Sequence, residues 1–172
     1  MKQPWRRIAA WLIDWLVISV YVVILLALGL GPGAADRFAS FSPVLYNVVG
    51  FVVLVAPVTI VFAVLESRGG TLGKRALGLV VTSAAASGQV SFPRALVRNL
   101  LKIAVPWAIG HVAVYGFASA FLEVIPTWVY VVTVLSYVLP LVYLVSLFVR
   151  TGRTPYDLIA GTRVTLTTKD ES

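Results

Sequence analysis

The sequence predicts an all-α membrane protein with four transmembrane helices, both termini cytoplasmic, and an amphipathic interfacial helix before the third span. Three observations predict it. Of the 172 residues, 59% are hydrophobic and only 12% charged, whereas a soluble domain carries about 25% charged residues; mean hydropathy is +0.93. Four apolar runs, about 8–30, 44–65, 103–122 and 128–149, reach the roughly 20 residues that a bilayer crossing takes. The basic residues are also segregated: 13 of the 14 Lys and Arg fall in the N-terminal segment, the connection 66–102 and the tail, leaving Arg37 alone on the other side. The positive-inside bias therefore makes both termini and the connection 66–102 cytoplasmic. That arrangement suits a multi-pass protein of the cell's inner (plasma) membrane.

The first run opens on Trp5-Arg6-Arg7-Ile8-Ala9-Ala10-Trp11-Leu12-Ile13-Asp14-Trp15. Lys2, Arg6 and Arg7 would suit a signal peptide, but the run outlasts the usual h-region of about 7–15 residues and contains Asp14, so it reads as a span. Arg7 and Asp14 are two helical turns apart and share a face, with Asp14 roughly 10 Å deeper along the axis. An acid at that depth costs roughly 2.5–3.5 kcal/mol on insertion scales. It needs a partner, a proton or water.

Gly31-Pro32-Gly33 ends the first run, and Ser42-Pro43 introduces the second. In the connection 66–102, Ser83–Gly88 reads as a turn or tip, and Ser91-Phe92-Pro93 as a helix start with Ser91 the N-cap. Leu96, Val97, Leu100, Leu101 and Ile103 then recur at helical spacing, while Arg94, Arg98 and Lys102 lie four apart on another face. This pattern predicts a helix in the headgroup layer whose cations meet anionic lipid headgroups. Ile125-Pro126-Thr127 makes the last connection a tight hairpin, and Trp5, Trp107 and Trp128 sit near run ends as interface anchors do. Residues 1–165 form one transmembrane domain and 166–172 a polar tail.

An offset of 83 residues aligns the second and fourth runs without a gap. Val55, Pro57, Gly69, Thr71, Gly78, Val81 and Thr82 fall on Val138, Pro140, Gly152, Thr154, Gly161, Val164 and Thr165. Matched glycines and prolines mark backbone geometry rather than mere hydrophobicity. They predict two hairpins related by a pseudo-twofold along the membrane normal. Lys74 and Asp157 are then equivalent positions of opposite charge that could pair across the axis. Asp14 has no counterpart, since Val97 stands at its offset.

Several functions are excluded. The chain has no cysteine and one histidine, His111, so no thiol nucleophile, disulfide or Cys- or His-based metal site is expected. No phosphate loop, G-x-S-x-G elbow or H-E-x-x-H appears, and no enzyme or cofactor is expected. The net charge of +7 follows from membrane topology rather than from nucleic-acid binding.

Arg7-x-x-Ala10-x-x-x-Asp14, Gly70-Thr71-Leu72-Gly73-Lys74-Arg75-x-x-Gly78-Leu79, Arg94-x-x-x-Arg98-Asn99 and Tyr156-Asp157-Leu158-x-Ala160-Gly161-Thr162-x-Val164 follow one another along nearly the whole chain. Together they resemble the RDD family of bacterial membrane proteins, named for one arginine and two aspartates. Ser83–Gln89 departs from it, being longer and richer in Ala and Ser than the family's short acidic turn. The resemblance implies transport of a small solute or exchange of cations for protons, or else an accessory role in a larger membrane assembly.

Asp14 is the leading candidate: either a carboxylate that burial keeps protonated and that trades its proton for a cation, or a latch paired with Arg7 or Arg98. Asp157 is either an acid at the mouth of a pathway or a turn and N-cap carboxylate in Thr154-Pro155-Tyr156-Asp157, paired with Lys74 or Arg75. His111 either donates to a carbonyl of a neighbouring helix or relays protons to Asp14. Arg7, Asp14, Lys74, Arg98 and Asp157 are expected to gather near the cytoplasmic face. Glu66 and Glu123, at span ends where solvation is cheap, are assigned no role. Pro57 and Pro140 should kink their helices, and Gly116 and Ala120 suit a close helix contact. Expected partners are the bilayer, its anionic headgroups, and a second copy or another membrane protein.

Overall fold

The computed structural model describes residues 3–28, 42–85, 88–120, 124–149 and 151–167. Lys2, the Gly31-Pro32-Gly33 break, Arg37, Glu123, Arg150 and the tail beyond Thr167 lie outside the described residues. Helix α1 spans Pro4–Ala27. It begins before the expected apolar boundary because Pro4 sits in its first turn, where a missing N–H costs nothing. The second helical run is α2 (Pro43–Gly50), a π-helical segment Phe51–Val55 and α3 (Ala56–Ser67). A short helix α4 (Leu72–Ala76) and strand β1 (Leu79–Ser83) follow. The third run is α5 (Phe92–Asn99), a second π-helical segment Leu100–Ala104, and α6 (Val105–Ser119). Helix α7 (Thr127–Ser146), short helix α8 (Pro155–Ile159) and strand β2 (Thr162–Leu166) close the chain. Four helical stretches are long and apolar enough to cross a membrane: Pro4–Ala27, Asn47–Ala76, Phe92–Ser119 and Thr127–Ser146. Leu16, Val20, Val61, Val114, Val134 and Leu141 project outward from them, a dressing suited to lipid.

The polar start of the third run does not form a helix set apart from its span. Helix α5 passes without a break into the second π-helical segment and α6. Its charged face turns inward: Arg98 is 1% exposed, while Phe92, Val97 and Leu100 face out. Arg98 is therefore not a headgroup ligand, since two buried carboxylates claim it. Lys102 also turns to a buried acid, and only Arg94 of the three is exposed.

Both π-helical segments lie just before a proline, and a tyrosine answers each. The Tyr21 hydroxyl donates to the Val53 carbonyl inside the first segment at 2.5 Å. Leu101 lies five residues before Pro106, the donor position in π register, and the Tyr143 hydroxyl donates to it at 2.8 Å. A carbonyl left bare in lipid costs several kcal/mol, and the Tyr143 hydroxyl supplies the donor that Pro106 cannot. Pro140, the other expected kink, lies inside α7. At Gly116 of α6 an added Cβ would come within 2.8 Å of Trp128 and Val129 on α7. The α6–α7 contact is as close as the sequence expected, and Ala120 is buried beside it.

At one end of the bundle the chain builds a small platform unforeseen as β structure. Strands β1 and β2 pair antiparallel, Leu79 against Leu166 and Ser83 against Thr162. In that register Val81 faces Val164, its own equivalent at the 83-residue offset. A local two-fold axis therefore passes through the pair. Helices α4 and α8 occupy equivalent ranges, and so do the positive-φ glycines Gly69 and Gly152 and Gly78 and Gly161. Gly78 and Gly161 both have φ +64° with open space where a Cβ would stand; backbone conformation selects glycine there. Ala63, Val81, Val90 and Ala95 form a dry cluster beneath the strands, with Leu96 and Val164 packed on it. It ties the platform to α3 and α5.

Candidate functional site: a buried charge cluster

The platform end gathers seven ionisable side chains. Helix α3 brings Glu66, α4 brings Lys74, α5 and its π-helical extension bring Arg98 and Lys102, α8 brings Asp157, and α1 brings Arg7 and Asp14. Arg7 near the start of the chain and Asp157 near its end meet at 2.6 Å.

Glu66 is the hub, although the sequence reading gave it no role. Its residue is fully buried. Oε1 takes Arg98 Nη1 at 2.5 Å, Lys74 Nζ at 2.6 Å and Lys102 Nζ at 3.2 Å. Oε2 accepts from Asn99 Nδ2 at 2.7 Å. Position at a span end suggested cheap solvation, but the platform covers that end and removes the water. The available signal was arithmetic. Lys74, Arg98 and Lys102 all lie near a helix that must shed them into lipid or pair them, and Glu66 is the acid within reach.

Asp157 is the second acceptor. Oδ1 takes Arg98 Nε at 2.8 Å and the Thr162 hydroxyl at 3.3 Å, while Oδ2 takes Arg7 Nη2 and the Thr154 amide, the latter at 3.2 Å. Thr154 caps α8 in return, accepting from the Asp157 amide at 3.4 Å to complete a capping box. The turn and N-cap reading of Asp157 is what the geometry shows, but its cations are Arg7 and Arg98. Burial pushes its carboxyl upward, yet the Arg98 and Arg7 guanidiniums and their hydrogen bonds outweigh this and hold it well below the usual carboxylate range.

Lys74 and Asp157 do not pair across the axis. Arg98 stands between their two sites, bridging Glu66 and Asp157 through different guanidinium nitrogens, with its Cζ 5.2 Å from the centre of the Tyr156 ring. Two acceptors on one fork suit a planar guanidinium better than an ammonium. Lys74 instead reaches back to Glu66 and the Thr71 hydroxyl.

Asp14 is paired with neither Arg7 nor Arg98. Oδ2 accepts from the Thr71 hydroxyl at 2.6 Å and Oδ1 from the Gly73 amide at 2.9 Å. Thr71 is the N-cap residue of α4, so Asp14 serves from another helix as the acceptor for α4's first turn. Arg7 points away, to the Gly152 carbonyl and to Asp157. Shared helical face was a correct inference, but α4 and α8 dock at different heights on that face and each takes one residue. Gly73 makes the fit possible: an added Cβ would strike the Ala10 carbonyl, and Ala10 is 1% exposed.

His111 lies apart from the cluster. Its Nδ1 is 3.0 Å from the Trp107 carbonyl of its own helix, and a carbonyl can only accept, so Nδ1 carries the proton. Its ring stacks between Trp107 and Tyr115. It donates within α6 rather than to a neighbour. Arg94 donates to the Ser83 hydroxyl at 3.1 Å. Among the described residues no three of His, Asp and Glu come together as metal ligands.

The cluster includes one arginine and one aspartate on the first helix and a second aspartate after the fourth span; Arg98 and Glu66 link Asp157 to Lys74, and Asp14 joins through Thr71. A family model described as the RDD family matches residues 1–123, which takes in Arg7, Asp14, Glu66, Lys74, Arg98 and Lys102 and leaves Asp157 beyond its end. No curated protein and no solved structure matches the chain. The match covers well over half of the sequence, and the chain belongs to the RDD family.

Proposed function

We propose that this protein is a non-catalytic membrane scaffold, seated in the cell membrane with its platform and both termini cytoplasmic, whose cluster locks a rigid surface for a second copy or another membrane protein. One observation carries the reading. Both oxygens of Asp14 are taken by fixed donors of α4, and neither cleft of the platform is lined by it. A latch accounts for both bonds, whereas exchange of a proton or cation at Asp14 would also require a path to it. The distribution of basic residues supports the orientation.

Ion-coupled transport is the second reading, favoured by a different feature. Four cations (Arg7, Lys74, Arg98, Lys102) face three carboxylates (Asp14, Glu66, Asp157), so the cluster holds one positive charge in surplus. Surplus charge near a membrane-spanning segment suits a site that sheds a proton.

Flux in proteoliposomes separates the two. A trapped pH dye follows the response to added Na⁺ or K⁺ for wild type, Asp14→Asn and the exposed control Arg6→Gln, each checked for folded insertion. The scaffold reading expects no exchange from any of them and a lowered unfolding temperature for Asp14→Asn alone. Exchange by wild type and Arg6→Gln that disappears in folded Asp14→Asn overturns it in favour of transport.

A further inference from the structure

Two adjoining clefts open on the platform, and neither is explained by the latch or by the scaffold. The first, of about 440 Å³, is lined by Arg7, Arg153 and Arg163 together with Thr151, Gly152 and Ala84. Its volume lies in the range of small-ligand sites. Three arginines line one concavity, and among the described residues no carboxylate does. Asp157, the acid paired with Arg7, does not line it and has both oxygens engaged by Arg7, Arg98, Thr154 and Thr162.

Arg7 is paired with Asp157, whereas among the described residues Arg153 is held by backbone carbonyls alone. Arg153 donates from Nε to the Thr162 carbonyl at 3.1 Å and from Nη2 to the Asp157 carbonyl at 3.3 Å, which orients a side chain with five donors. Arg7 is pinned by the Gly152 carbonyl and Asp157. Arg163 stands exposed on β2 opposite Thr82. Arg7 shares its charge with Asp157, but among the described residues Arg153 and Arg163 make no ion pair, and an anion with several acceptor oxygens would supply one. Guanidinium forks suit a phosphate in charge and geometry.

The second cleft, of about 370 Å³, shares Ala84 with the first and is lined by Pro93, Val97, Ile159 and Ala160, with Arg94 among them. Val97 and Ile159 are exposed there. A basic cleft continuing into an apolar groove matches a molecule with a phosphate at one end and hydrocarbon at the other. We propose that the Arg7–Arg153–Arg163 cleft binds a phosphate group, with the neighbouring groove receiving a chain of the phospholipid that carries it.

The test uses the full-length protein in detergent micelles, read by native mass spectrometry and by thermal unfolding. The probes are phosphatidylglycerol, phosphatidylcholine and inorganic phosphate. Wild type is expected to retain phosphatidylglycerol over phosphatidylcholine and to unfold at a higher temperature in its presence. Arg163→Gln should weaken that retention roughly five-fold, the worth of one basic side chain at an anionic headgroup, and Arg163→Lys should recover most of it. Arg6→Gln removes the same charge at an exposed position of the same end, outside the cleft, and should change nothing. Inorganic phosphate acting in place of the lipid, and lost in Arg163→Gln, keeps the site and assigns it a soluble phosphate. Equal losses in Arg6→Gln and Arg163→Gln, or no response to any phosphate probe, overturn the proposal.

Discussion

Glu66 takes hydrogen-bonding or ionic contact from four side chains, and among the described residues only Arg98 of the four also forms an ion pair with a second acid. Breaking a buried ion pair by removing one partner costs roughly 3–5 kcal/mol because the orphaned charge stays behind. Glu66→Gln keeps the shape and removes the charge, so thermal or denaturant unfolding in micelles should show a loss of about that size. Asp157 gives a pH signature. Its carboxyl is held well below the ordinary value of 3.8 in the folded protein, so the stability it contributes is fully present above that value. It is lost as pH falls towards the folded pKa, when the native state must accept the proton it resists. Wild type should therefore lose stability on acidification below about pH 4 more steeply than Asp157→Asn, which should be weaker at neutral pH and flatter in acid. Equal acid slopes would contradict the pairing of Asp157 with Arg98 and Arg7. At this scale the sequence was only partly legible. Arg7, Asp14, Lys74, Arg98 and Asp157 do assemble, but their partners depend on which docked helix presents which group. Spacing along one helix says which residues share a face, not what arrives at that face from elsewhere.

Among elements, the four spans were readable because hydrocarbon thickness and apolar run length are directly linked. The boundary of the third was not. Charged residues at helical spacing read alike whether their face meets headgroups or buried acids, and only Glu66 and Asp157 on other elements decide between them. The fit of α4 to α1 is the contact most exposed to test. Gly73→Ala adds one methyl carbon where the Ala10 carbonyl already stands, so α4 must move away and break the Gly73–Asp14 bond with it. Overpacking of this kind costs about 1–3 kcal/mol, and the lost acceptor at Asp14 adds to it. Gly73→Ala should unfold at a clearly lower temperature than Gly88→Ala, whose Cβ would meet nothing within 4 Å. Equal temperatures would mean that the α1–α4 contact is looser than described.

For the whole molecule, the internal offset of 83 was the most informative part of the sequence. It placed β1 and β2, α4 and α8, and two pairs of positive-φ glycines in equivalent positions, although the strands themselves were not foreseen. Five-residue strands in a polar connection lack enough alternation to announce themselves, and here pairing rather than propensity defines them. The register around Val81 and Val164 has one more consequence. Two separate copies of a hairpin meeting about such an axis would be obliged to carry the same residue at equivalent places, lysine facing lysine or aspartate facing aspartate. Joined in one chain, the copies are released from that obligation. Asp157 in one half can then hold one end of the bridging Arg98 while Lys74 in the other shares Glu66, the acid at that arginine's opposite end.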